Sequence, residues 1–201
     1  MTGTAAGPAA TAVLHAVILA GGRSSRLGGT PKAGLRRDGT TLVERTVDAV
    51  REAAGVVVVG PGDLVLPEGV LRAREDPPFG GPAAGIAAGL RVLEALPPAR
   101  WTLTLACDMP GVRTAVELLL DAARTCPGAS GFIAATPDGR RQPLAALYRS
   151  AVLHEACAGR DLAGRSVRSV VRDLALREVP VPEIATEDVD TWDDVQRHHL
   201  S

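Results

Sequence analysis

A chain of 201 residues can bury a sizeable core as one domain and is short for two. Its 22 basic and 23 acidic residues give a net charge of −1 without a long like-charge run, which excludes the basic stripe of a general nucleic-acid binder. Hydrophobic residues make up 46% but aromatics only 2%, so Ala, Val and Leu must build the core, and recognition of single strands by stacked rings is excluded as well.

Residues 1–12, MTGTAAGPAATA, read as a disordered tail, and residues 13–201 as a single domain. The start lacks the basic and long apolar regions of a signal peptide, and no apolar run approaches the ~20 residues of a membrane span. Cys107, Cys126 and Cys157 are far apart and form no CxxC pair, which gives neither a disulfide framework nor a zinc site. A cytoplasmic protein with no membrane partner is expected.

Val13 to Leu19 has the length and β-branched content of a buried strand, and it stops at Gly21-Gly22. The loop from there to Lys32 carries four glycines, two serines and two arginines, offering many backbone N–H donors and three cationic side chains. Such a loop suits a polyphosphate. Lys32 is the sole lysine among the 22 basic residues, a compact ammonium in a chain that otherwise uses the planar guanidinium.

Thr41 to Ala53 follows with helical spacing of Leu42, Val43, Thr46, Val47 and Val50, and Val56 to Val59 reads as a strand buried on both faces. Val70 to Arg74 is a weaker strand, leading through the rigid turn Asp76 to Pro82 into a helix over Ala83 to Leu96. Trp101 to Cys107 is a strand ending in Asp108-Met109-Pro110. Beyond it come a helix over Val112 to Thr125, a strand over Gly131 to Ala135, and the turn Pro137-Asp138-Gly139. Arg140, Arg141 and Gln142 then precede the apolar run Pro143 to Tyr148. Short helices are expected over Ser150 to Cys157 and Ser166 to Leu174, a strand near Leu176 to Val179, and a last helix over Trp192 to His199 with Thr191 as N-cap.

Strand and helix alternate through the first ~135 residues, the pattern of an α/β fold with a mostly parallel sheet wrapped by helices on both sides. Ligands of such sheets bind at the carboxyl ends of the strands. The glycine loop, Asp76 and Asp108 all fall there and would share one crevice. The loop is not a P-loop, because Thr30 and Pro31 separate Gly29 from Lys32, and the dinucleotide pattern GxGxxG fails at Ser24.

The stretch LAGGRSSRLGG followed by PK resembles the signature loop of the nucleotidyltransferases with a MobA-like fold, and within them most closely the molybdenum cofactor guanylyltransferases. DPPFGGPAAGIAAGL, LACDMP, RQPLAALY and DVDTWDDV resemble the later segments of that family, in the same order. The resemblance implies a Rossmann-like three-layer sandwich of the nucleotide-diphospho-sugar transferase type. It implies a reaction in which a phosphate oxygen of molybdopterin attacks the α-phosphorus of GTP and pyrophosphate leaves, with Mg²⁺ as cofactor. A phosphomonoester with a second pKa near ~6 is already largely ionised at neutral pH, so no strong general base is needed. That agrees with four histidines in no recognisable catalytic setting.

Carried onto this chain, the resemblance implies that Gly21, Gly22, Arg23, Ser24 and Ser25 hold the β- and γ-phosphates together with Arg26, and that Lys32 takes up charge near the α-phosphate. Leu19, Ala20 and Gly21 would line the base, and Asp76 would contact the nucleoside. Asp108 would hold the metal, or else cap the helix that follows. Asp190 is either a second metal ligand or part of an acidic helix N-terminus. Arg140, Arg141 and Gln142 either meet the acceptor or form a solvated hairpin. The chain contains no asparagine, and Gly60-Pro61 stand where the family often places one beside the nucleoside. GTP and CTP therefore both remain open, as does another phosphorylated acceptor. A non-catalytic nucleotide binder is the reading from a different class, and Lys32 with Asp108 speaks against it. Protein partners are left open.

Overall fold

The computed structural model describes residues 13–22 and 25–201, and the expected tail over residues 1–12 lies outside the described residues. Strand β1 (Leu14–Leu19) runs through the middle of the main sheet with Ala16, Val17 and Ile18 fully buried. A strand covered on both faces has no polar alternation, hence its uninterrupted apolar reading. Beyond the glycine loop lies a small hairpin, β2 (Arg36–Arg37) and β3 (Thr40–Thr41). Its two-residue strands are too short to leave a pattern in the sequence.

Helix α1 (Leu42–Ala49) begins with a reciprocal cap. The Thr41 hydroxyl accepts from the Glu44 amide at 3.2 Å, and the Glu44 carboxylate accepts from the Thr41 amide at 2.7 Å. The spacing predicts this helix as far as Ala53. It ends at Ala49 because Val50 leaves helical geometry at φ −117°, ψ 23°, and a turn delivers the chain to β4 (Gly55–Val59). Next come β5 (Leu71–Ala73), α2 (Pro82–Leu93), β6 (Trp101–Ala106), α3 (Val112–Thr125), β7 (Gly131–Ala135) and β8 (Arg141–Arg149). The chain closes with α4 (Ser150–Cys157), α5 (Val167–Val171), β9 (Arg177–Pro180) and α6 (Trp192–Arg197), the last capped by Thr191 as the sequence predicts.

The seven-stranded sheet has the order β5-β4-β1-β6-β8-β7-β9, parallel from β5 to β6 and again between β7 and β9, with β8 antiparallel to both its neighbours. Helices α1 and α3 cover one face through Val43, Val112, Ala115, Val116 and Leu119. On the other face α2, α4 and α5 pack through Ile86, Leu90, Leu153 and Val170. The result is the expected three-layer sandwich. Helix α2 lies close on the sheet at Gly89, where a Cβ would stand 2.6 Å from Val17 Cγ1, so only glycine fits there.

A third, smaller cluster of Leu27, Leu35, Leu42, Val189, Val195 and Leu200 ties the glycine loop to the last helix. Paired backbone hydrogen bonds of 2.8 Å between Arg36 and Ser201 fasten the same region. The chain terminus is thereby held beside the loop that leaves β1.

Candidate active site

Register brings the loops together. Leu19 at the end of β1 lies opposite Val59 of β4 and Ala106 of β6, and the Cys107 amide donates to the Leu19 carbonyl at 3.0 Å. The chain therefore leaves β1 and β6 side by side, with the glycine loop and Asp108 at adjoining strand ends. The Val189 amide donates to the Asp108 carbonyl at 2.9 Å, which fastens the segment before α6 to the same point.

These contacts assemble one charged centre. Lys32 Nζ donates to Asp108 Oδ2 at 3.0 Å and also to Asp190 Oδ1, while Arg26 Nη1 donates to Asp190 Oδ2 at 2.9 Å. The Lys32 and Asp108 side chains retain only 19% and 21% of their accessibility, and Asp190 is more open. Neither aspartate caps a helix. Asp194 receives the Asp190 and Thr191 amides, and α3 opens on Gly111 without a side-chain cap.

Burial opposes the charge on Lys32, yet the two carboxylates more than offset it and raise the ammonium pKa. Burial also raises the Asp108 pKa against the attraction of Lys32, and the nearby Asp188 charge adds to the rise. Desolvation pushes the Cys107 thiol far up, so it is an inert core residue.

The centre lies in a cleft of about 610 Å³. Of the residues singled out from sequence, Leu19, Ala20, Gly21, Gly22, Arg26, Lys32, Asp108, Gln142 and Asp190 line it. Arg23, Ser24 and the Ser25 side chain lie outside the described residues. Asp76, Arg140 and Arg141 are not in the cleft wall. At and beside the turn that holds Asp76, it is Glu75, Phe79, Gly81 and Pro82 that reach the cleft. Arg141 Nε donates to Glu178 of β9 at 2.7 Å. Asp188 was legible only as a helix-end acid, although it lines the cleft two residues before Asp190.

The donor set suits a hard cation. Two carboxylates already share one ammonium, and magnesium takes one or two carboxylates with phosphate and water oxygens completing its shell. Asp108 and Asp190 would be the residues to hold it.

A mostly parallel sheet with a glycine loop after one of its inner strands, and a lysine and two aspartates converging beside it, defines an α/β nucleotidyltransferase. The family model of the MobA-like NTP transferase domain matches residues 16–179, and the chain belongs to that family. It is 35% identical over 186 residues to a probable molybdenum cofactor guanylyltransferase of Opitutus terrae, covering 89% of this chain and 90% of that one. It is 32% identical over 191 residues to a molybdenum cofactor guanylyltransferase of Cupriavidus taiwanensis, covering 90% and 94%. Among solved structures, Rv0371c of Mycobacterium tuberculosis H37Rv superposes with a TM-score of 0.71 at 25% identity, covering 94% of this chain and 98% of that one. Among the described residues, no helix is long and apolar enough to cross a membrane.

Proposed function

We propose that the protein transfers GMP from GTP to the phosphate of molybdopterin, releasing pyrophosphate. The observation that carries this reading is the Lys32 ammonium held between Asp108 and Asp190 in the cleft at the ends of β1 and β6. The relatives' names, molybdenum cofactor guanylyltransferase, support a guanylyl donor and a molybdenum cofactor acceptor.

The chemistry is electrostatic. A phosphate dianion must approach a triphosphate, and charge builds on the departing pyrophosphate, so positioning and neutralisation dominate. Backbone amides from Gly21 onward, with Arg26, would receive the β- and γ-phosphates. Lys32 would turn from the carboxylates to the α-phosphate as the nucleotide arrives, contributing about 1.5–3 kcal/mol through each charge-assisted hydrogen bond. Asp108 and Asp190 would hold Mg²⁺, which would supply positive charge to offset the phosphate charge that builds during transfer. Gln142, at the cleft end of β8, is the candidate for contact with the acceptor.

The experiment is pyrophosphate release from GTP, CTP and UTP in the presence of molybdopterin and Mg²⁺. Release from GTP at least tenfold faster than from the others is expected. Preferential release from CTP would reassign the base, and no release despite nucleotide binding would remove the enzyme reading.

A further inference from the structure

The two ends of the cleft differ in character. Where β1 and β6 end, Arg26, Lys32, Asp108 and Asp190 make the part suited to phosphate and metal. Toward β4 and β5 the wall is apolar, with Leu19, Val59, Phe79 and Pro82, and at Gly85 of α2 no side chain intrudes. Among the described residues, the one charged group lining this second part is Glu75. It follows β5 by two residues, and the strand order β5-β4-β1 sets it two strand spacings, ~10 Å, from the end of β1. A nucleoside has a comparable reach from its 5′ oxygen to the far edge of a purine.

Glu75 is half-buried, and its Oε1 accepts from the Phe79 amide at 3.2 Å, which steadies the carboxylate against the turn. Among the described residues it has no further hydrogen bond and no cationic partner. An ionised carboxylate only accepts, through two oxygens, so most of this group's capacity is unspent. A base settling on it strips water from the charge, which is costly unless N–H donors replace that water. Guanine offers two such donors side by side, N1–H and the N2 amino group, spaced like the oxygens of a carboxylate. Cytosine, uracil and adenine each bring an acceptor to the same edge, so the charge that holds guanine repels them. We propose, on the reading that GTP is the nucleotide bound, that Glu75 selects the base by accepting both donors of guanine. Asp76, its exposed neighbour outside the cleft wall, takes no part in that contact.

The test is equilibrium binding of GTP, ITP, XTP and CTP to the full chain with Mg²⁺, in the wild type and in Glu75→Gln. Inosine lacks the N2 amino group, and xanthine carries there a carbonyl oxygen to which the Gln amide can donate. The wild type should bind GTP about tenfold or more tighter than ITP and CTP, the scale of one bidentate base contact. In Glu75→Gln the preference for GTP over ITP should fall below about threefold, and XTP should bind about fivefold or more tighter than it does to the wild type. Equal binding of GTP and ITP by the wild type overturns the proposal without recourse to the variant, which covers a Glu75→Gln protein that does not fold. A variant that keeps the wild-type preference overturns it too and leaves the N2 amino group to backbone carbonyls. Pyrophosphate release in the presence of molybdopterin separates this failure from that of the enzyme reading. Selective GTP binding that depends on Glu75, without transfer, keeps the base contact and removes the enzyme; guanylyl transfer with the preference unchanged in Glu75→Gln keeps the enzyme and removes the contact.

Discussion

The parallel block β5-β4-β1-β6 and the block β8-β7-β9 at the other edge of the sheet reach the cleft by different means. In the first, strands that run the same way end together, so loops leaving β1 and β6 deliver Lys32 and Asp108 to neighbouring points. In the second, β8 runs against its neighbours, so the residues near the cleft are those at its start. The register of β7 against β8 shifts between Ile133 and Ala134, a bulge of the kind that re-aims side chains beside a functional site. Gln142 and Leu144 face the cleft, whereas Arg141 is taken by Glu178 of β9. The first block supplies charge, and the second supplies mostly shape.

The largest effect should come from breaking the charged side. Asp108→Asn keeps the shape of the side chain and removes its charge, and pyrophosphate release should fall at least about 100-fold, the scale lost with one strong electrostatic contact in an active site. Arg141→Ala, on the other block, should change the same rate less than about threefold, because an exposed ion pair such as Arg141–Glu178 contributes little. Similar losses in the two variants would erase the distinction between the blocks.

Next in size is a backbone contact that sets the third arm of the centre. A Cβ on Gly111 would stand 2.2 Å from the Ile184 carbonyl oxygen, so Gly111→Ala must move the segment leading to Asp188 and Asp190. Overpacking of this kind costs about 1–3 kcal/mol, to be read from urea denaturation. An unchanged midpoint would mean that the segment shifts freely. Thr191→Ala, which removes the cap beside Asp190, should cost about 1 kcal/mol on the same assay.

The smallest effect is a pH dependence within the parallel block. Burial, and then the neighbouring His154, lower the pKa of His15. The unfolded chain takes up this proton near pH ~6.5 and the folded chain only at lower pH, so the contribution is fully present above that value and is lost as pH falls toward the folded pKa. Between pH 7.5 and 5.5 the urea midpoint of the wild type should drop more than that of His15→Gln. Parallel drops would show that His15 is not the titrating group.

Much of the parallel block was legible because its signals are local. The apolar run before Gly21, the Val56–Val59 strand and the Trp101–Cys107 strand each carry their own pattern. Asp108 and Lys32 stood out as an acid at the end of a buried strand and the sole lysine of the chain. The insertion of β8 between β6 and β7 was not legible, since strand order follows from long-range pairing and leaves no mark on periodicity. The same holds for the third apolar cluster, which brings Leu200 to Leu27 and thereby Asp190 to Lys32. Glu75 and Phe79 went unnoticed, and Asp188 was read only as a helix-end acid, because nothing local separates a cleft-lining side chain from any other in a turn.

The most direct test of the shared charge centre is the turnover of Lys32→Ala with GTP, molybdopterin and Mg²⁺, on protein shown by circular dichroism to be folded. kcat should fall by about 100-fold or more while nucleotide binding persists. A kcat within threefold of the wild type would contradict it, because the ammonium bridging Asp108 and Asp190 would then have no part in the transfer.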